Sequence, residues 1–245
     1  MDVSKEVAFF DSFETEHGEY DVLGKGAYRR LLGLFGSLVR PREGECCFDL
    51  GCGTGAFTRR LSAFNLDLTG VDISPRSIEA ARKKSGHERY LVGDIRATNL
   101  ADGEADIILY SGVLHHCNER AMRVEILREG LRILRPGGRL FAFDPSAHSP
   151  SMWLYRDPRS PFYSSKGKTE NEVLLTRQDL RTELEEAGFS SIRIRGVSGI
   201  SYTYVEETFA RLILPLYNLY EAALRFSPFE DRYGTFLLSF AVKPD

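Results

Sequence analysis

The stretch FDLGCGTGAFTRRL, residues 48–61, decides how the rest of the chain is interpreted. Its Gly51, Gly53 and Gly55 stand at every second position, directly after an apolar run. A strand that ends in glycines and leads into a helix presents bare backbone N–H groups at the start of that helix. Because glycine has no Cβ, a ligand can approach such a backbone closely. The stretch therefore predicts a ligand-binding turn between a first strand and a first crossover helix.

Short β-like runs and helical stretches alternate around this turn. An amphipathic helix is predicted at 27–40, within a helical region that covers 1–45. Further helices are predicted at 55–64, 74–86, 119–134 and 176–189, and strands at 46–51, 66–73, 90–94, 105–113, 139–145, 191–198 and 235–243. Ser74 and Thr176 are expected to cap helices, Pro75 to occupy a first helical position, and Pro136-Gly137-Gly138 to end the helix at 119–134. Strands separated by helices of this size indicate right-handed βαβ units and a parallel sheet.

Composition narrows the class of protein. With 245 residues, 42% of them hydrophobic, the chain fits one globular domain with a large core. The 32 basic and 35 acidic residues give a net charge of −3, which argues against nucleic acid as the main partner. The four cysteines (Cys46, Cys47, Cys52 and Cys117) lack CxxC spacing and indicate reduced thiols. Without a signal-like apolar segment or an uncharged apolar run of about 18 residues, a cytoplasmic protein with no spanning segment is expected.

The glycine stretch has a competing interpretation. GCGTGA also fits GxGxxA, and Asp72 lies about 20 residues further on, where a dinucleotide site places its ribose-binding acid. An NAD-dependent oxidoreductase is therefore one alternative, although the chain contains no YxxxK pair. A catalytically silent cofactor-binding subunit is a second alternative.

Five segments together carry a family resemblance. They are FDLGCGTGAF (48–57), GVDIS (70–74), VGDI (92–95), ADIILYSGVLHHC (105–117) and LRILRPGGRLFAFDP (131–145). In this order and spacing they resemble class I S-adenosylmethionine-dependent methyltransferases, in particular the small-molecule branch related to quinone biosynthesis. The resemblance is close over 44–145 and looser afterwards.

The resemblance implies a Rossmann-like α/β fold. Its seven-stranded, mostly parallel sheet would carry helices on both faces and end in an antiparallel strand at 235–243. A single domain, 1–245, would comprise an N-terminal helical lid (1–44), a cofactor-binding core (45–145) and two substrate-covering insertions (146–175 and 200–233).

The resemblance also implies roles for individual residues. The three glycines would carry the backbone beneath the methionine part of the cofactor, Asp49 would help to hold its ammonium, and Asp72 would accept both ribose hydroxyls. Asp94 would accept from the adenine amino group. The full set of residues assigned to the cofactor is Asp49, Gly51, Cys52, Gly53, Gly55, Asp72, Ile73, Asp94, Ile95, Tyr110, Ser111 and Leu114. Independently of the family, acids at strand ends suit a cofactor with a net positive charge.

Two histidines are the candidate catalytic residues. Methyl transfer from a sulfonium is an in-line displacement, to which positioning contributes about 7–11 kcal/mol. A base is needed only if the nucleophile must lose a proton. His115 and His116 follow the fourth strand, at the ligand edge of the sheet, and His115 is favoured to face the substrate. The alternative is a histidine that orders the loop, and no metal site is expected because consecutive residues do not converge on one ion.

The two insertions are expected to supply the acceptor site. Asp144 ends the fifth strand and is expected to contact the substrate or to cap the first insertion. Trp153, Tyr155 and Tyr163 are expected to form an aromatic wall, or else to anchor a surface loop. The apolar segment 209–224 is expected to pack as a lid, to form a homodimer face, or to admit a long apolar substrate or rest on a membrane. Pro215 is expected to kink or to start a helix. The sequence thus predicts methyl transfer from S-adenosylmethionine to an oxygen or nitrogen of a small molecule.

Overall fold

A sheet of seven strands, in the order β3-β2-β1-β4-β5-β7-β6, forms the frame of the protein. The computed structural model describes residues 21, 23–163, 169, 171–203 and 208–245, with the backbone alone at 209 and 210. The strands are β1 Cys46–Leu50, β2 Asp67–Asp72, β3 Arg89–Val92, β4 Ala105–Ser111, β5 Leu134–Pro145, β6 Ser190–Val197 and β7 Phe236–Val242. The first five pair in parallel, whereas β7 is antiparallel to both β5 and β6. The predicted Rossmann-like fold and its antiparallel last strand are therefore confirmed.

Helices cover both faces of this sheet. The described helices are α1 Lys25–Val39, α2 Ala56–Arg60, α3 Pro75–Lys83, α4 Arg120–Ile133, α5 Pro150–Arg156, α6 Arg177–Ala187, α7 Thr208–Arg225 and α8 Glu230–Tyr233. Alternate residues of β4 serve the two cores: Ile108 packs with α4 and α6, and Ile107 with α1 and α2. No helix within the described ranges combines the length and the apolar character that crossing a bilayer requires.

The helix caps follow the predicted chemistry. The Ser74 hydroxyl accepts the N–H of Ser77 at 3.1 Å, and Pro75 begins α3. Thr176 caps α6 by accepting the N–H of Asp179 at 3.0 Å. Each cap satisfies a backbone donor that the first turn of a helix leaves without a partner.

One predicted boundary is wrong, for a reason of tertiary structure. Helix α4 ends at Ile133, and Pro136-Gly137-Gly138 lie within β5 rather than in a turn after the helix. The end of β7 supplies their partners, since the N–H of Gly137 donates to the Lys243 carbonyl at 3.0 Å. Pro215 lies inside α7, so of the two outcomes expected for it a helix start does not occur, and a kink stays a prediction.

A buried ion pair locks α4 against α6 and holds the loop between β4 and α4. The Arg123 and Glu183 side chains are 7% and 0% exposed, and Arg123 Nε donates to Glu183 Oε2 at 3.0 Å. Arg123 Nη1 also donates to the carbonyl of Cys117 at 2.6 Å. This pair therefore positions the segment that follows the two histidines. Burying two charges is costly, and these hydrogen bonds offset the cost.

Tight packing between α4 and β4 generates a stability prediction. A Cβ on Gly130 would lie 2.4 Å from Tyr110 Oη, whereas a Cβ on Gly33 of α1 would meet nothing within 4 Å. We expect Gly130→Ala to lower the free energy of unfolding by about 1–3 kcal/mol through overpacking. Gly33→Ala, the matched control, should raise it by up to about 1 kcal/mol. Urea denaturation measures both, and a stabilising Gly130→Ala would contradict the packing described here.

Candidate functional site

A cavity of about 680 Å³ lies at the carboxyl ends of the parallel strands. Turns after β1, β2, β3 and β4 form its floor, and residues around α1, α5, Tyr202 and α7 form its roof. Among the predicted site residues, the following line it: Gly51, Cys52, Gly53, Asp72, Ile73, Asp94, Ile95, Ser111, His115, His116 and Tyr155. This position is where open α/β sheets bind ligands, and the volume is typical of small-molecule sites.

The three glycines of the first turn serve different purposes. Gly51, Gly53 and Gly55 all have positive φ, at 82°, 51° and 74°. A Cβ on Gly51 would lie 2.6 Å from Val113, and one on Gly55 would lie 2.5 Å from Tyr90 Oη. A Cβ on Gly53 would meet nothing within 4 Å. Gly53 is therefore the glycine of the three that leaves open space beside the backbone, whereas Gly55 makes room for Tyr90 and does not line the cavity.

Asp72 ties two turns together at the cavity floor. Its Oδ2 accepts the N–H of Gly53 at 2.8 Å, and its Oδ1 accepts the N–H of Ser74 at 2.9 Å. Burial raises the pKa of Asp72, against these hydrogen bonds and the nearby His116, which lower it. The carboxylate lines the cavity and has acceptor capacity beyond the two N–H donors that it binds.

Asp49 lies behind the floor. It is fully buried and accepts the hydroxyl of Thr58 at 2.6 Å and that of Ser111 at 3.2 Å. Burial raises the pKa of Asp49 to about 7. Its link to the cavity runs through Ser111, which lines it.

Tyr110 and Leu114 do not line the cavity. Tyr110 is fully buried and donates its hydroxyl to the Ile126 carbonyl at 2.8 Å. Leu114 is 1% exposed and packs in the same core. Both side chains point into the layer between the sheet and α4, so any part they take in ligand binding passes through their neighbours.

Asp94 and Ile95 line the cavity together with an arginine that the sequence did not single out. Arg96 Nε donates to Asp94 Oδ2 at 2.9 Å, and Arg96 itself reaches the cavity. This hydrogen bond holds the pKa of Asp94 below its usual value. Asp94 and Arg96 are only two positions apart, but the local sequence Asp-Ile-Arg also fits an ordinary surface turn, so the sequence alone does not indicate this contact.

His115 and Asp144 form a pair at the far side of the cavity. His115 Nδ1 lies 3.0 Å from Asp144 Oδ1, and the His115 backbone N–H donates to the same oxygen at 3.1 Å. The ring of His116 is adjacent, with 4.1 Å between centroids. Burial and the charge of His116 lower the pKa of His115, while Asp144 opposes that shift. Asp144, predicted to contact the substrate, is 1% exposed and contacts His115 instead.

The first insertion places one of its three predicted aromatic residues at the cavity. Tyr155 lines it, whereas Trp153 and Tyr163 are 39% and 37% exposed and do not. Helix α5 separates Trp153 from Tyr155, because residues two positions apart on a helix point in different directions, and Tyr163 lies beyond the end of α5. Its Ser149 cap and Pro150 repeat the pattern of Ser74 and Pro75, which is the signal that could have located this helix.

Helix α7 presents two apolar faces. Ile213, Leu214, Tyr217 and Tyr220 line the cavity from its inner face, and Leu216 lines the cavity at its edge. Leu212 and Leu219, on the outer face, are 75% and 67% exposed, and Leu216, between this face and the cavity, is 68% exposed. The helix thus covers the cavity and also leaves an apolar stripe at the surface. Tyr202, Tyr217 and Tyr220 were not predicted as site residues, because nothing local links them to the strand ends.

A buried acid anchors α7 to the sheet. Glu221 is fully buried, accepts the N–H of Ile200 at 3.2 Å and accepts the hydroxyl of Thr235. Burial raises the pKa of Glu221 to about 7. Glu221 therefore ties α7, which is part of the roof of the cavity, to the segments that carry Ile200 and Thr235.

Comparison with known proteins places these features in context. The model of the methyltransferase domain family matches residues 48–142. A malonyl-[acyl-carrier protein] O-methyltransferase of Serratia marcescens is 28% identical over 217 residues, which is 84% of this chain and 82% of that protein. The 27-O-demethylrifamycin SV methyltransferase of Amycolatopsis mediterranei is 28% identical over 89% of this chain and 85% of its own length. One similar solved structure is that of Haemonchus contortus phosphoethanolamine N-methyltransferase 2 in complex with phosphomonomethylethanolamine and S-adenosylhomocysteine. It superposes on this chain with a TM-score of 0.63 at 16% identity, and the match covers 98% of this chain and 58% of that one.

The buried Asp49 predicts a pH dependence of stability. Because its pKa in the folded protein is about 7, against an ordinary 3.8, the folded state holds a proton that the unfolded chain has lost between these values. The free energy of unfolding should therefore fall as pH rises through this range, by up to about 4 kcal/mol at 1.36 kcal/mol per pKa unit. Urea titrations from pH 4.5 to 7.5 should show a shallower decline for Asp49→Asn than for the unmodified protein. The exposed Asp102→Asn is the control, and equal slopes for all three proteins would contradict this role of Asp49.

Proposed function

Since the chain belongs to the class I S-adenosylmethionine-dependent methyltransferases, we propose that it methylates an oxygen or nitrogen of a small-molecule acceptor. One observation carries the proposal. The Gly53 N–H donates to the Asp72 carboxylate, and both the open side of Gly53 and this carboxylate face the same cavity. This arrangement offers bare backbone and negative charge at the same place. Both suit a cofactor that is partly apolar and carries net positive charge.

The residues present fit the cofactor. S-adenosylmethionine, when bound, supplies a methyl group that its sulfonium has already activated. The open side of Gly53 would accept the methionine part, and Asp72 would accept the ribose hydroxyls in a charge-assisted contact. Ile73 and Ile95 would pack against the adenine, with Asp94 held beside it by Arg96.

The protein's own contribution is alignment in a dry cavity. The inner face of α7 and the residues around α1 cover part of the site, which would limit the access of water and the motion of the two reactants. His115 is kept largely neutral by burial, so it is available to take a proton from an acceptor. His116 adjoins it, and we assign to His116 a supporting part in ordering this wall.

Oxygen is the favoured acceptor atom. One relative that aligns with most of this chain is an O-methyltransferase by name, and another is named for its action on 27-O-demethylrifamycin SV. Nitrogen stays in the proposal because a structure of the same fold is that of an N-methyltransferase. An NAD-dependent oxidoreductase is not favoured, because the matching family model and these relatives are methyltransferases.

The proposal includes the domain arrangement and a cytoplasmic location. Residues 45–145 would form the cofactor-binding core, with 146–175 and 200–233 as substrate-covering insertions. Within 1–44, the lid is supported by Leu23 and Tyr28, which line the cavity, while 1–20 lie outside the described residues. Reduced thiols at the four cysteines, including the buried Cys47 and Cys117, fit a reducing compartment.

A homodimer through 209–224 is also part of the proposal. The exposed Leu212, Leu216 and Leu219 stand at spacings of four and three residues, so they form one stripe along α7. A twofold pairing would bring this stripe against its own copy, and its members carry no charge to repel each other. The contact would remove an exposed apolar patch from water.

Calorimetric titration tests the cofactor assignment. We expect S-adenosylmethionine and S-adenosylhomocysteine to bind and NAD not to bind. Asp72→Ala should weaken both at least tenfold, because it removes charge-assisted hydrogen bonds. Asp67→Ala, at the opposite end of β2, is the control and should bind as the unmodified protein does. Binding of NAD alone would overturn the proposal, and binding without any methyl transfer across an acceptor screen would favour the silent subunit.

Sedimentation velocity tests the dimer. We expect a concentration-dependent dimer that Leu212→Glu combined with Leu219→Glu converts to monomer, because two carboxylates would face their copies across the contact. Leu91→Glu, at an exposed site on β3, is the control for adding charge elsewhere. A monomeric unmodified protein at all concentrations would remove this part of the proposal.

A further inference from the structure

One carboxylate oxygen holds both the backbone and the ring of His115. Asp144 Oδ1 lies 3.1 Å from the His115 backbone nitrogen and 3.0 Å from its ring Nδ1. Asp144 is 1% exposed and stands at the end of β5, opposite Leu237 of β7. Strand pairing therefore fixes the carboxylate, and the carboxylate in turn fixes the imidazole.

This contact determines which ring nitrogen carries the proton. A carboxylate only accepts hydrogen bonds, so the neutral ring must hold its hydrogen on Nδ1 to make the contact with Asp144. Nε2 is then left with a free lone pair. Because His115 is 12% exposed and lines the cavity, that lone pair belongs to a ring in reach of a bound acceptor.

The wall around the acceptor space is aromatic. Tyr155, Tyr202, Tyr217 and Tyr220 all line the same cavity as His115. The rings of Tyr202 and Tyr217 lie 5.7 Å apart at 56°, a tilted arrangement that presents both faces and edges. Flat aromatic ligands pack well against such rings.

We propose that the His115–Asp144 pair accepts the proton of an aromatic hydroxyl group, which is the methyl acceptor of this enzyme. This inference rests on the proposed function and names its substrate class. The O–H bond of the acceptor breaks as its proton passes to His115 Nε2. The oxygen's electron pair forms the new O–CH₃ bond while the C–S electrons return to sulfur, and the imidazolium later releases its proton to water.

The basicity of His115 agrees with this class of acceptor. Burial and His116 lower the pKa of His115, while Asp144 and Glu172 act in the opposite direction. An imidazole is matched far better to a phenol, with a pKa of about 10 as in tyrosine, than to a saturated alcohol. Asp144 is thus a positioning residue, and His115 is the group that touches the acceptor.

The first test reads the ring directly and needs no substrate. Nitrogen NMR of the imidazole rings, assigned with His115→Gln, should show neutral His115 with its hydrogen on Nδ1. Asp144→Asn should shift the hydrogen toward Nε2, because an amide can donate to Nδ1. Asp106→Asn is the control, because Asp106 is also a buried acid that accepts a backbone N–H, but at the other end of the sheet. This variant should leave the His115 tautomer unchanged. A wild-type ring protonated on Nε2 would overturn the proposal.

The second test uses matched acceptors with radiolabelled S-adenosylmethionine. The probes are a set of mono- and bicyclic phenols, including 1-naphthol, each paired with its aromatic amine and its saturated alcohol. We expect transfer to phenols alone, with Asp144→Asn about 100-fold slower and its cofactor affinity within threefold of the unmodified protein. Three outcomes would overturn the proposal: comparable transfer to amines or saturated alcohols, no transfer to any phenol, or full activity of Asp144→Asn. Cofactor binding in the same samples separates these outcomes from failure of the proposed function, in which no binding occurs.

Discussion

The floor of the cavity depends on one partly buried carboxylate, that of Asp72. It accepts one N–H from the turn after β1 and another from the start of α3, so two crossover connections share one acceptor. Burial of this charge is unfavourable, and the two donors offset the cost. The glycine turn is consequently held in shape by the fold itself, and a ligand does not have to organise it on arrival.

The elements of the fold could be predicted because their signals are local. Apolar runs, glycines after strands and the Ser-Pro start of α3 each act within a few residues. The Pro136-Gly137-Gly138 segment was misread because its hydrogen-bond partners come from β7, about a hundred residues later in the chain. The sequence left open whether Pro215 starts or kinks a helix, and α7 continues through this residue, which ordinarily interrupts a helix.

The candidate site could be predicted where residues follow strand ends directly. Gly53, Asp72, Asp94 and His115 reach one cavity because the carboxyl ends of parallel strands meet at one edge. Contacts between distant segments could not be predicted. Tyr90 occupies the space beside Gly55, and Asp144 contacts His115. Both contacts depend on side-chain packing, which the spacing of residues in the sequence does not indicate.

Strand β7 lies between β5 and β6 although it follows both in the chain. While the protein is being made, β6 emerges with no neighbour to pair with, and β5 keeps an open edge. Roughly 40 residues separate β6 from β7, so at about 5–20 residues per second this state lasts for some seconds on the ribosome. Unpaired edges of this kind are templates for association between chains. The interval before β7 is inserted is therefore when a nascent chain is most exposed to aggregation, and when protection by a chaperone matters most.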